Sequence, residues 1–413
     1  MLQIRLLMSP KKRFPKSKSA KLWQSGSEPL HPLVEAYTVG DDYLIDQTLV
    51  PYDVRASLAH AGMLRRMGVL SSKELRTLEK GLHKIETLSK QGAFPIAQSQ
   101  EDSHTAIEQH LTKHYGEVGK KIHTGRSRND QSLVMLRLFM REKLEEIDTE
   151  TSRLIAALQK KAARAKASMP GYTHQQKAMP TSVKRWLGSF IDALKDARII
   201  LQATKKVIDQ NPLGSASGFG ISNFPLDRAY TTRTLDFAKT QENPMYCGLS
   251  RGYFEYLTLL ALGNIMFVAE KFATDLMYFT MQEFGFFSLP TSFTTGSSIM
   301  PQKRNYDVLE IMRGNAKVFR AYERQVRDII GSSGSGYHRD LQLTKKPFVE
   351  GVQLCESTLA LLIEIVKHLT IHEDALKRAM TKDLFVTARV YELVRKGMNF
   401  RDAYRQVKQQ LNS

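Results

Sequence analysis

The sequence predicts an all-α protein: a central bundle of long helices flanked by two smaller helical domains. Three observations carry this expectation. Apolar residues recur at steps of three and four along several long segments, the period of a helix face buried in a bundle. No stretch is strand-rich and no internal repeat is found. The most polar strings lie between the long apolar segments, where connecting loops belong. The expected division is a basic tail over 1–21, an N-terminal helical domain over 22–124, a long-helix bundle over 125–369 and a small, shortened C-terminal helical domain over 370–413.

Residues 1–21 carry Arg5, Lys11, Lys12, Arg13, Lys16, Lys18 and Lys21 and no acid. The apolar run Leu2 to Met8 is too short for a secretory core, so a disordered tail is expected rather than a targeting segment. Folded sequence is expected from Leu22-Trp23. Helical spacing then runs through Val54, Leu58, Ala61 and Leu64. Ser71-Ser72 caps a second helix carrying Leu75, Leu78, Leu82 and Ile85. Asp102 or Ser103 caps a third, which begins at His104.

His123-Thr124-Gly125-Arg126-Ser127-Arg128-Asn129-Asp130-Gln131 is dense in donors and precedes a long helix through Leu133, Leu136, Met140, Leu144 and Ile147. A helix N-terminus offers free N–H groups, and two arginines beside it suit a carboxylate or a phosphate. A capped helix start with two surface arginines is the plainer reading, and the compact polarity of the string argues against it. Pro170-Gly171 breaks the helical pattern. Tyr172-Thr173-His174 follows, placing His174 on a turn between helices, where an imidazole can titrate.

The segment Gly252 to Gln282 reads as one helix about 45 Å long. It is apolar nearly all round, so it needs burial on several sides, and one chain supplies few neighbours. No uninterrupted apolar run reaches spanning length, so no transmembrane helix is expected. Next comes Gly296-Ser297-Ser298-Ile299-Met300-Pro301-Gln302-Lys303-Arg304-Asn305. Glycine permits close approach of a ligand to the backbone, the serines supply hydroxyls, and Lys303 supplies a point charge for a carboxylate. Asp307 and Glu310 have capping-box spacing at the start of the next helix. A polar cluster from Tyr337 through Gln342 to Lys345 and Lys346 precedes a last long helix, read over 351–369.

Composition narrows the function classes. The 42% hydrophobic and 25% charged content is that of a soluble globular chain. Cys247 and Cys355 are the only cysteines, which gives no disulfide framework and no thiolate metal cluster. They are expected to be buried packing residues in a reducing, cytoplasmic setting. The net charge of +18 suits an enzyme that attracts anionic substrates. It also permits polyanion binding, but the basic residues are spread rather than striped among aromatics, so no nucleic-acid or membrane partner is expected.

Taken together, the strings around His123–Gln131, Pro170–His174, Gly296–Asn305 and Tyr337–Lys345 resemble the fumarase/aspartase superfamily of lyases, and within it the argininosuccinate lyases. The resemblance runs from about Leu22 to the end of the chain. It implies the superfamily fold, a homotetramer whose sites are built from three chains, and no metal or organic cofactor. It implies reversible elimination of argininosuccinate to arginine and fumarate, the last step of arginine biosynthesis. Ser297 would be the base, Lys303 and Asn305 would hold the carboxylate whose charge grows, and His174 would protonate the leaving nitrogen, with Glu310 against it. By the residues alone, His174 would be the easier base. The resemblance also carries Arg128, Asn129, Thr173, Tyr337, Gln342 and Lys345 over as substrate-binding groups, Asp46 as an acid at the arginine end, and His104 as a histidine near the site.

The chain departs from the pattern at several places. Asp42 stands where many members carry serine, Val134-Met135 replace a threonine-aspartate pair, and Tyr306 replaces a proline. The altered Asp42 region leaves open a lyase acting on another N-substituted aspartate. A non-catalytic helical protein that binds polyanions is the remote alternative.

Overall fold

The computed structural model describes residues 30–331 and 333–412. The expected tail over 1–21 and the expected start at Leu22-Trp23 lie outside the described residues. Contacts divide the chain into two compact units. One holds the residues up to Leu136 together with Pro212–Asp236; the other holds Arg137–Asn211 and the chain from Phe237 onward.

The first unit is helical because its capping chemistry and apolar spacing agree. Helix Asp42–Arg66 starts the unit's core and continues through Pro51. Ser71 caps helix Ser72–Lys90 with a full capping box: the Glu74 amide donates to Ser71 Oγ at 3.2 Å, and the Ser71 amide donates to Glu74 Oε2 at 2.8 Å. Asp102 caps helix Ser103–Tyr115 by accepting from the Thr105 amide. Val54, Leu64, Leu78, Leu82, Ile107 and Leu111 pack together beneath these helices.

The second unit is built on long helices: Val183–Ile208, Tyr253–Phe279, Asp307–Gly331 and Lys345–His368. Helix Arg128–Arg164 starts in the first unit and continues in the second. Trp186 stacks on Phe272 and Phe287 with ring centroids 5.4 and 4.9 Å apart, and its Nε1 donates to Asp275. These contacts lock one end of the core, with the half-buried indole gaining both area and a partner for its N–H. Helix Tyr253–Phe279 is buried along most of its length, but Phe267 stays 53% exposed. By length and composition alone it could cross a membrane; 56% of its most apolar window is buried.

Two expectations are corrected here. His174 does not join two helices. It sits at the tip of an antiparallel hairpin, Ser168–Thr173 paired with Gln176–Ser182. The two tip residues, His174 and Gln175, have φ of 53° and 61°. Such a two-residue turn normally advertises itself through Asn-Gly or Asp-Gly, and His-Gln gives no such signal. The last long helix begins at Lys345, six positions before its expected start, because a 3-10 turn over Arg339–Thr344 feeds directly into it. Both cysteines are buried, as expected, and neither is part of a disulfide.

Candidate active site

The loop containing Ser297 is a small hairpin rather than a slack connector. Thr295–Gly296 pairs with Arg304–Asn305 in antiparallel register. Inside it, Ser297 Oγ accepts from the amides of Ile299 and Met300 at 3.3 and 3.1 Å. Two N–H dipoles aimed at one hydroxyl oxygen favour its anionic form, which is what a serine needs in order to act as a base. The Lys303 amide donates to the Met300 carbonyl, closing the turn. Lys303 is exposed, and Ser297 and Asn305 are half-buried.

The base of this hairpin is held by the following helix. Thr295 Oγ1 donates to Asp307, so that carboxylate is occupied by the hairpin. Asp307 is already helical, and the capping-box spacing with Glu310 is not used as a cap. Glu310 is exposed on the first turn. Tyr306 has a positive function of its own: its hydroxyl accepts from the Leu289 amide at 3.3 Å. A proline at this position could not make that link.

Thr173 and His174 are exposed at the tip of the longer hairpin. A non-glycine residue in the left-handed region costs about 1–2 kcal/mol, and such strain persists only where the surroundings over-determine it. Two anchors supply that. The ring of Tyr172 lies 6.1 Å from Phe279 and 5.8 Å from Phe284. Lys177 Nζ donates to the Ala379 carbonyl at 3.0 Å and to Thr381 Oγ1 at 3.2 Å.

The third string of this unit runs from Tyr337, exposed, through Gln342, half-buried, to Lys345, whose side chain opens helix Lys345–His368 and is only 2% exposed. Among the described residues no hydrogen bond or ion pair joins His174 to Ser297, Lys303 or Glu310.

In the first unit, Asp46, His104 and Arg128 converge on the start of helix Ser103–Tyr115. Asp46 is fully buried and accepts from the Ser103 amide at 3.0 Å. Asp53 Oδ2 accepts from Ser103 Oγ at 2.7 Å and lies 2.6 Å from His104 Nδ1. Burial opposes ionisation of Asp53, but the charge and hydrogen bond of His104 outweigh it and hold the carboxyl below its ordinary range. Burial likewise opposes charging of His104, and Asp53 overcomes it, so the imidazole is raised. His104 Nε2 is buried with no hydrogen-bond partner. Arg128 bonds Glu101 and Thr105 at 2.7 Å each and lies 3.4 Å from Asp102. Asn129 is half-buried on the first turn of its helix, with its amide donating to Ser127 Oγ at 3.3 Å.

Sequence reasoning missed Asp53, and it read Arg126 only as one of two arginines beside a helix start. Asp53 stands seven positions after Asp46 on one helix, two turns along the same face, and that spacing was available as a signal. Arg126 donates to Ser57 at 2.9 Å; burial lowers its pKa against the pull of Asp53, Asp130 and Glu108. Asp130 accepts the amides of Ser127, Gly214 and Ala216 at 2.9 to 3.1 Å, while burial still pushes its carboxyl up. Among the described residues no group of three His, Cys, Asp or Glu side chains is placed to hold a metal ion.

Residues 31–320 match the family model described as Lyase. Among curated relatives, the argininosuccinate lyase of Thermotoga neapolitana is 40% identical over 390 residues, covering 94% of this chain and 98% of the relative. That of Sorangium cellulosum is 43% identical over 390 residues, covering 94% of this chain and 90% of the relative. Solved structures show the same fold. An EDDS lyase in complex with formate superposes with a TM-score of 0.77 at 24% identity, covering 91% of this chain and 74% of its own. A class II fumarase from Schistosoma mansoni gives 0.77 at 14% identity, covering 91% of both chains.

Proposed function

This chain belongs to the argininosuccinate lyase family, and from that premise we propose that it splits argininosuccinate reversibly into arginine and fumarate. The observation within the structure that best supports the chemistry is the pair of amides on Ser297 Oγ. The hard step is removing a weakly acidic proton beside a carboxylate. The electron pair left behind is tolerable only as an aci-carboxylate with two anionic oxygens, which requires preplaced cations and N–H donors. In this reading Ser297 takes the Cβ proton, and Lys303 with Asn305 holds the growing charge. The Cα–N bond breaks as the carbon–carbon double bond forms. His174, with Glu310 beside it, delivers a proton to the departing nitrogen.

Arg128, Asn129, Thr173, Gln342 and Lys345 hold the carboxylates and Tyr337 lines the site. Arg128 exchanges Glu101 and Asp102 for substrate. Asp46 serves the arginine end through Ser103, whose amide it holds, and His104 belongs to the same support. His174, Lys303 and Glu310 are exposed in the single chain. Eliminations of this kind need water excluded, which supports a homotetramer in which other copies cover these groups. The two buried cysteines, neither of them in a disulfide, support a reducing, cytoplasmic setting.

The test is to incubate the chain with argininosuccinate and follow fumarate absorbance. No fumarate at high protein concentration overturns the proposal. Ser297→Ala is expected to lose turnover by a factor of roughly a thousand or more while still binding substrate. Retained activity would remove Ser297 from the role of base.

A further inference from the structure

Arg251 lies just before helix Tyr253–Phe279, and the reaction above gives it no task. It is 3% exposed, and its Nε and Nη1 are buried with no hydrogen-bond partner. It lines a cavity of about 220 Å³ with Tyr253, Leu341 and the serine-glycine turn over 333–336. Its guanidinium carbon stands 5.9 Å from the ring centre of Tyr337. Buried guanidinium donors left unmatched are costly, and the cavity that Arg251 lines is the space nearest them in which a partner can be held.

The neighbouring charges say what kind of partner. Glu255 is the acid shared by Arg251 and Arg137. It approaches Arg251 Nε only to 3.7 Å, beyond hydrogen-bond reach, and its Oε1 is itself unmatched. Arg137 bonds elsewhere through Nη1 and Nη2, to the carbonyls of Ile208 and Gln210 and to Ser250 Oγ, while its Nε is buried without a partner. Asp209 also acts on Arg137 but is engaged by Arg141 at 3.1 Å, so the two buried cations share Glu255, whose pKa burial pushes up. A carboxylate head brings the one negative charge that balances the set, whereas a phosphate dianion overshoots it.

We propose that this cavity is a binding site for a small carboxylate, held by Arg251 beneath the 333–336 turn and beside Tyr337. The proposal goes beyond the lyase reading and does not need turnover.

Isothermal titration of the full chain with succinate tests it. Wild type binds succinate. Arg251→Met weakens that binding tenfold or more, or removes one of two binding events. Ser335→Phe, which fills the cavity from an exposed turn and leaves Arg251 in place, does the same and decides the matter if Arg251→Met fails to fold. No succinate binding by wild type, an isotherm unchanged in the folded variants, or tighter binding of inorganic phosphate than of succinate overturns the proposal. A further arm identifies the source of the carboxylate. If argininosuccinate on the Ser297→Ala chain displaces the Arg251-dependent succinate, the cavity receives the substrate's own carboxylate; if succinate stays, the cavity holds a separate anion. Succinate bound through Arg251 in a chain that releases no fumarate would retain this site while the lyase reading fell.

Discussion

Two buried histidines of the first unit titrate under opposite pressures. Burial lowers His60 well below 6.5, with Arg126 adding to the effect. Its Nε2 lies 2.9 Å from the Thr124 carbonyl, so the neutral ring donates there and Nδ1 is left buried without a partner. A depressed pKa in the folded state means that the unfolded chain takes up the proton first as pH falls. The stability contributed by His60 is therefore present above pH 6.5 and lost on acidification. His104 has the opposite sign: its pKa is raised, so its contribution is present below 6.5 and lost as pH climbs through the folded value. Wild type is expected to lose melting temperature between pH 7.5 and 5.5, and His60→Gln to lose less of it. An identical loss in the variant would show that another group controls the acid limb. Neither setting was legible in the sequence. Asp53 and His104 are 51 positions apart, and a lone histidine at a helix start announces no acid beneath it.

At the level of elements, the hairpin that carries His174 is fixed from behind by Lys177, whose ammonium bridges Ala379 and Thr381. Removing that bridge leaves every reacting group in place and loosens only the strand beneath the tip. Lys177→Met is expected to lower kcat about tenfold or more with little change in KM, since small misplacements of the proton donor proposed at His174 are costly. Equal losses in both constants, or none, would refute a positioning role. Helix periodicity was easy to read from the sequence because each long helix repeats its apolar stripe many times. The hairpin was not. It is short, its tip lacks glycine and asparagine, and its strands alternate poorly, with a bulge between Pro170 and Tyr172. The serine loop was legible as chemistry and illegible as geometry. Its residue types suggested a task, but nothing in them announced a hairpin in which Gly296 pairs with Arg304 and the amides of Ile299 and Met300 turn toward Ser297.

For the whole molecule, the expected oligomer has a physical correlate in the second unit. Ile199, Phe267, Ile311 and Val318 are 69%, 53%, 63% and 44% exposed on its long helices. Large apolar side chains in such number on bundle helices mark surfaces meant to be covered. Light scattering of the wild type is expected to give four times the chain mass. Ile311→Asp is expected to lower that mass, and an unchanged tetramer would exclude this face from the contact. The bundle of long helices was legible because burial leaves a periodic trace. The return of 212–236 to the first unit was not, because Leu226 and Tyr230, which pack on that unit's core, lie on a loop and a seven-residue helix too short to show a repeated stripe. That return bears on how the chain comes off the ribosome. The Asp130 carboxylate waits for the amides of Gly214 and Ala216, 84 and 86 positions later. The N-terminal helices therefore emerge with one oxygen of a carboxyl unmatched and a wall of their core missing. At roughly 5–20 residues per second, several seconds pass before the closing segment is made. During that interval the nascent first unit is a client for chaperones, and slowing translation between 136 and 236 would lengthen its exposure.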